Sequence, residues 1–315
     1  MGRFALGVDV GGTKALCVLC DVSGNVIARD RFSSHADDDD PLDTVINGTL
    51  RFLANSGVSP DDIVGTGIGL PGIIQPATNQ LVNAPGFVSR HQDIQGYVSA
   101  RLPAPIVLDN DVNMAVMGEW WMGGARDREN VVLISIGTGI GAGLLVNGQV
   151  YRGARGFAGE VGRLQLDPFV KRTSPASLDE FGPFESLASG HGIRNVAQQH
   201  YHEFPDTRLQ QPNLSAEGVF EAAAMGDPLG SFVLDRVFDY IAFSIANVMV
   251  TLDPDIVLIG GGVSRQGADF VEEIRRRVAH LMPFPFVLEL AVLGEDAGAY
   301  GAAASAFKSA GLIGL

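Results

Sequence analysis

Residues 9–14 of the chain read Asp-Val-Gly-Gly-Thr-Lys, directly after the apolar run Phe4–Val8. A strand running into a glycine turn is how a backbone is brought against a phosphate. Gly11 and Gly12 lack a Cβ, so the turn can take positive φ and point successive amide N–H groups at an anion, while Thr13 and Lys14 add a hydroxyl and a cation. Asp9 stands at the mouth of that anion site. A carboxylate there suits a divalent cation held through its waters, because Mg²⁺ keeps much of its hydration when it bridges phosphate and protein. The spacing is not that of the GxxxxGK[ST] loop, and a second strand, Ala15–Cys20, follows in place of a helix. A tight hairpin with a capping Asp would give the same short pattern, so the motif must be weighed with its surroundings.

Phosphoryl transfer needs little covalent help from a protein: it needs positioning, a metal-neutralised phosphate, and a carboxylate that accepts the proton of the attacking hydroxyl. Asn110-Asp111 follows the strand led by Pro103–Leu108 and precedes a helical stretch at Met114–Trp121, which makes Asp111 the candidate base. Asn and Asp are also favoured N-caps at such a junction. Glu160 in Gly159–Arg163 and Glu185 in Phe184–Ser186 are further candidates. Carboxylates accept paired hydrogen bonds from vicinal hydroxyls and so suit a sugar, although single Glu residues of this kind also occur at surfaces and caps.

The elements that must position these residues repeat. Val131–Ile136 is a buried-strand run followed by Gly137-Thr138-Gly139-Ile140-Gly141, a second apolar run Leu144–Val146, an Asn147-Gly148 turn and Val150-Tyr151. Residues 4–29 have the matching order of strand, glycine turn, strand, Ser23-Gly24-Asn25 turn and strand. Two half-molecules, each offering a phosphate-gripping hairpin, predict a nucleotide held between two related domains. A third cluster, Gly260-Gly261-Gly262, follows the strand Ile256–Ile259 and precedes a helix expected over 267–282; in an open α/β sheet that strand end is where a ligand sits. Ile63–Leu70 reads as a strand ended by Pro71-Gly72, where a backbone can approach a small ligand. Leu42–Asn55 reads as a helix behind the charged lead-in Asp37–Pro41. Residues 171–185 read as a loop, 215–251 as helical and 297–308 as a terminal Ala-rich helix.

Composition narrows the class. A chain of 315 residues with 46% hydrophobic content can bury a large core, and its length favours two domains. A formal charge of −14 argues against a nucleic-acid partner, whose usual footprint is a basic face. Cys17 and Cys20 lie in one expected strand on opposite faces, which excludes a disulfide or a shared metal between them and predicts buried thiols. With no secretory pattern and no apolar run long enough for a bilayer, no membrane partner is expected, and the expected location is cytoplasmic.

Taken in order, Asp9–Lys14, Pro71-Gly72, Asn110–Asn113, Gly137–Gly141, Gly159–Gly162, Asp253-Pro254 with Gly260–Gly262, and Ala297-Gly298 with Gly301–Ala303 resemble the ROK family of sugar kinases and sugar-responsive repressors. The resemblance covers nearly the whole chain. It implies an α/β, two-domain, actin-like and hexokinase-like (ribonuclease H-like) fold with an interdomain ATP and sugar cleft. The implied domains are a small one from 1–118 plus 296–315 and a large one from 119–295, joined near Gly118–Gly124, where Trp120 and Trp121 would report closure. The implied activity is ATP-dependent phosphorylation of a hexose at its 6-hydroxyl, with ATP and Mg²⁺ as cofactors and a homodimer as the assembly. Glucose or a related hexose is the implied substrate, with fructose, mannose and N-acetylated hexosamines as alternatives. By the same resemblance Gly11, Gly12, Thr13 and Lys14 meet the phosphates, opposed by Gly137, Thr138 and Gly139. Gly261 and Gly262 then border the adenosine. Gly72, Asn110, Asp111, Glu160 and Glu185 bind the hexose.

The chain also departs from the family pattern. Members place a His three residues after the Glu that matches Glu160, then a CxCGxxGC cluster that binds zinc. Arg163 stands at that position and Thr173–Pro183 contain no cysteine, so no zinc site is expected. Arg163 becomes a candidate to bind sugar hydroxyls or to pair with Glu160 or Glu185, and Phe181, Pro183 and Phe184 are candidates to hold the loop. His191 reads as a surface or packing residue. A sugar-sensing repressor would need a helix-turn-helix before the strand at Phe4, and that reading is set aside. An actin-like ATPase serving assembly, or a relative without catalysis, would leave Asn110-Asp111, Glu160 and Glu185 without a task.

Overall fold

The computed structural model describes residues 3–36, 39–75, 77–78, 80–82, 84, 87–167, 177 and 180–314. The chain divides into two compact units, residues 1–133 with 143–158 and 291–315, and residues 134–142 with 159–290.

The first unit opens with β1 (Phe4–Val10), β2 (Lys14–Asp21) and β3 (Val26–Ser33), an antiparallel run. Next come α1 (Pro41–Ser56), β4 (Ile63–Leu70), the short β5 (Ile73–Ile74) and β6 (Leu81–Val82), α2 (Ile94–Ser99), β7 (Ile106–Asn110) and α3 (Asp111–Met122). The sheet order is β3-β2-β1-β4-β7, with β4 parallel to both β1 and β7. Its register sets Asp9 opposite Gly69, Gly69 opposite Asp109 and Leu70 opposite Asn110. The carboxyl ends of three neighbouring parallel strands therefore gather the polar residues, the end of an open α/β sheet at which ligands bind.

The chain continues through β8 (Val131–Ile136), β9 (Ile140–Val146) and β10 (Gln149–Val150), and the division between the units falls inside β8 and β9. The second unit holds α4 (Glu185–Ala188), α5 (Gly190–His200), α6 (Ala216–Ala224), α7 (Pro228–Leu252), β11 (Ile256–Gly260), α8 (Ala268–Leu281) and β12 (Leu288–Leu290); α9 (Ala297–Ser309) belongs to the first. The second sheet runs β10-β9-β8-β11-β12. In both sheets the first strand of a glycine hairpin lies between its own second strand and a later strand, so the repeated sequence pattern is a repeat of topology.

The Ala-rich composition of α9 has a packing cause. A Cβ on Gly7 of β1 would sit 2.0 Å from the Ala299 carbonyl oxygen, and one on Gly67 of β4 would sit 1.9 Å from that of Ala302. Only small residues on both surfaces let the helix backbone rest on the strands this closely. Cys17 joins the buried cluster that includes Val45 and Ile46 of α1, and Cys20 joins the one with Phe307 of α9, the two faces expected. Burial pushes both thiols up to about 12. Trp121 is half-buried and packs on Phe307 at 5.6 Å, and Trp120 is 7% exposed, so the tryptophans read from the sequence as hinge residues pack within the first unit.

Asp40 caps α1 through Leu42 N, while Asp37 and Asp38 of the acidic lead-in lie outside the described residues. Of the expected loop over 171–185, residues 171–176, 178 and 179 also lie outside them, and Glu185 opens α4. Among the described residues no helix is long and apolar enough to cross a membrane.

Candidate active site

In the first unit the β1–β2 turn is closed by Gly11 N donating to the Lys14 carbonyl at 2.8 Å. Gly11 and Gly12 lie outside the left-handed region, so their use is not the positive φ that the sequence allowed. A Cβ on Gly11 would sit 3.3 Å from the Lys14 carbonyl oxygen, while one on Gly12 would meet nothing within 4 Å. Lys14 opens β2 as an exposed residue.

Asp9 sits one residue before the end of β1, fitted against Gly69 and Gly298. A Cβ on Gly298, in the first turn of α9, would lie 2.4 Å from the Asp9 carboxyl carbon. A helix N-terminus favours an anion. Burial nevertheless dominates, and with the charge of Asp111 beside it raises the Asp9 carboxyl to about 7 against the opposing pull of Arg31. A half-buried carboxylate with a second carboxylate for a neighbour is a site with excess negative charge, which a divalent cation would neutralise.

Asn110 is the N-cap of α3. Its Oδ1 accepts from Val112 N at 2.8 Å and Asn113 N at 3.3 Å, while its Nδ2 donates to the Gly72 carbonyl at 2.8 Å. The capping and functional readings of this residue are therefore compatible, because the cap fixes the amide's orientation. Gly72 takes φ +102, a value that a side chain would strain, and so turns its carbonyl onto Asn110. Asp111 follows as the first residue of α3 and accepts from Val112 N at 2.9 Å.

Sequence reasoning missed what lies behind this pair. Asp109 is buried; its Oδ1 accepts from Asn113 Nδ2 and from Asn110 N, each at 2.8 Å, and its Oδ2 accepts from Arg152 Nε at 2.7 Å. Asp109 was visible as the first of three polar residues ending a strand, but Arg152 had no local signal. Arg152→Met should strand a buried carboxylate, lower stability by about 1–2 kcal/mol and raise several-fold the KM of whatever substrate Asn110 holds, by loosening Asn110. Thermal unfolding and steady-state kinetics check this, and unchanged values in both would refute it.

In the second unit the β8–β9 turn is held from behind. Gly137 N donates to the Gly139 carbonyl at 2.9 Å, and the Gly137 carbonyl accepts from Gly190 N at 2.8 Å. Glu185 Oε1 accepts from Ile140 N at 2.8 Å and its Oε2 from Gly182 N at 3.0 Å. Glu185 thus braces the glycine turn as well as being a candidate sugar ligand. Gly159, at φ +95, is pressed against the Ala142 carbonyl and its own carbonyl accepts from Ala142 N at 2.7 Å, which ties the segment carrying Glu160 to β9. Burial raises the Glu160 carboxyl, Arg163 pulls it down and Glu185 pushes it up. Arg163 Nη1 also donates to the Ser177 carbonyl at 3.0 Å, in addition to the charge it presents to Glu160.

Gly261, at φ +86, lies against the backbone of Ile136, while a Cβ on Gly262 would meet nothing within 4 Å. Gly137, Thr138, His191, Arg194, Gly262 and Arg265 are among the residues around a cavity of about 510 Å³. Its size suits a small organic ligand. His191 is therefore a wall of this cavity rather than a plain surface residue.

Among the described residues one group, Asp40, Asp43 and His91, has metal-ligand spacing. Its atoms already have tasks in the fold: Asp40 caps α1, and His91 Nε2 lies 2.8 Å from Asp43 Oδ1.

A family model described as ROK family matches residues 5–309. A glucokinase of Halalkalibacterium halodurans is 31% identical, covering 95% of this chain and 93% of its own length. An N-acetyl-D-glucosamine kinase of Photobacterium profundum is 28% identical over 94% of this chain and 97% of its own. The crystal structure of a ROK family glucokinase from Streptomyces griseus in complex with glucose and AMPPNP superposes with a TM-score of 0.76 at 25% identity, covering 97% of this chain and 99% of that one.

Proposed function

The chain belongs to the ROK family, and from that premise we propose that it phosphorylates the 6-hydroxyl of a hexose with ATP, glucose being the first substrate to test. It is an ATP-dependent sugar kinase with the actin-like α/β fold of its structural neighbours. The observation that carries the assignment of roles is the meeting of Asp9, Asn110 and Asp111 at the carboxyl ends of β1 and β7 in the first unit.

In this reading Asp111 accepts the hydroxyl proton as the new bond to phosphorus forms, and Asn110, fixed by its cap and by Gly72, orients the sugar. Glu160 and Glu185 accept hydrogen bonds from further hydroxyls, and Arg163 sets the Glu160 segment. Gly11, Gly12, Thr13 and Lys14 of the first unit and Gly137, Thr138 and Gly139 of the second carry the phosphate-binding amides, hydroxyls and cation. Gly261 and Gly262 border the nucleoside. Asp9 would hold Mg²⁺ through water, and the cation would supply charge neutralisation at the transferring phosphoryl group. The proposed assembly is a homodimer in the cytoplasm. Nucleic acid and membrane have no part in it.

A coupled ADP-release assay over glucose, mannose, fructose, N-acetylglucosamine and N-acetylmannosamine tests the reading. Hexose-stimulated release supports it, and hexose-independent ATP hydrolysis overturns it. Zinc has no part in the proposal either. Dialysis against a strong chelator, with Mg²⁺ restored, should leave full activity and no stoichiometric metal by elemental analysis; stoichiometric zinc would refute this.

A further inference from the structure

Two aromatic rings of the second unit have no task in the chemistry above. His191 stands in the first turn of α5 on the wall of the 510 Å³ cavity, next to Gly190, whose amide holds the Gly137 carbonyl. Its ring lies flat on that of Phe181, with centroids 4.6 Å apart and planes 11° apart. Phe181 is 43% exposed, so burial alone does not fix it, and the imidazole is the surface it rests on.

The next residue, Gly182, is wedged into the carboxylate side of the unit. Its amide donates to Glu185 Oε2, and its carbonyl accepts from Ser186 N at 2.8 Å. A Cβ on it would lie 2.2 Å from the Gly162 carbonyl oxygen and 2.7 Å from Arg163 Cα. Gly182 is thus in van der Waals contact with the segment that carries Glu160 while it holds Glu185. Glu185 in turn holds Ile140 at the glycine turn.

We infer that Phe181 and His191 are positioning residues that couple a nucleotide in the cavity to the placement of Glu160 and Glu185; the inference rests on the kinase reading. A base or ribose lying against His191 fixes the imidazole. Phe181, stacked on it, is fixed with it. Gly182, covalently next, then holds Glu185 and the Glu160 segment in one arrangement. The consequence is reciprocal: nucleotide and hexose each bind more tightly when the other is present, by the same factor, and an aromatic stack of ordinary strength makes that factor about two- to tenfold.

The test is calorimetric titration of AMPPNP with and without the best hexose from the assay panel, and of that hexose with and without AMPPNP, on wild type and on Phe181→Ala, His191→Ala and Phe181→Tyr. Wild type and Phe181→Tyr should show the two- to tenfold factor, and both alanine variants a factor near one. Loss of a merely structural contact would weaken each affinity and leave their ratio alone. A ratio unchanged in the alanine variants, or a ratio of one in wild type, overturns the inference. Absence of ADP release with every hexose strikes at the kinase reading instead, so the two failures are told apart.

Discussion

Asp111→Asn is expected to lower kcat by about 10²–10⁴, the worth of a positioned general base, with the hexose KM within a few-fold of wild type. Asn is a tolerated residue at the start of a helix, and the cap of α3 comes from Asn110, so the substitution leaves the local fold in place. What it removes is the oxygen that takes the proton. The amide can still hydrogen-bond a hydroxyl, which is why binding should persist while turnover fails. Steady-state kinetics with the best hexose, with circular dichroism to verify the fold, decides the matter. A variant with near wild-type kcat would remove Asp111 from the role.

Much of this arrangement was legible in the chain because it is local. Asp9–Lys14 and Gly137–Gly141 announce strand ends by a change from apolar run to glycine, and both hairpins formed at those residues. The limits of β4 and β8 agree with the apolar runs read there, because a doubly covered strand reads as a nearly continuous apolar run, broken here only by Thr66 and Ser135. Long-range contacts were not legible. Arg152 reaches Asp109 across 43 residues, and Glu185 reaches the amide of Ile140 across 45, so neither partnership leaves a periodic trace. The same holds for Phe181 on His191, which made that histidine look idle. The tryptophans were misread for a related reason: a glycine-flanked pair suggests a joint, but Gly118 is there because a Cβ would lie 2.1 Å from the Ala297 carbonyl oxygen. Glycine marks close approach as readily as flexibility.

Asp9→Asn should weaken catalysis and strengthen the fold. Loss of the carboxylate proposed to hold Mg²⁺ through water is expected to cut kcat by about 10–10³, since charge neutralisation at phosphate is worth several kcal/mol. The effect on stability follows from linkage. The Asp9 carboxyl titrates at about 7 in the folded chain against an ordinary value of 3.8. Between those values the folded chain keeps a proton that the unfolded chain has released. Stability therefore falls as pH rises through this window, by at most about 1.4 kcal/mol per unit, and above it the whole cost is present. Asn never ionises and carries no such cost. In Mg²⁺-free buffer the variant should thus be more stable than wild type at pH 8 by about 1–3 kcal/mol, allowing for relaxation around the charge, and equal to it near pH 4. Added Mg²⁺ should narrow the gap by stabilising wild type alone, because a cation that binds the folded carboxylate draws the equilibrium toward it. Urea unfolding at the two pH values, with and without Mg²⁺, measures each part. A variant less stable than wild type at pH 8 would mean that Asp9 is held by attractions stronger than its burial and its repulsion from Asp111.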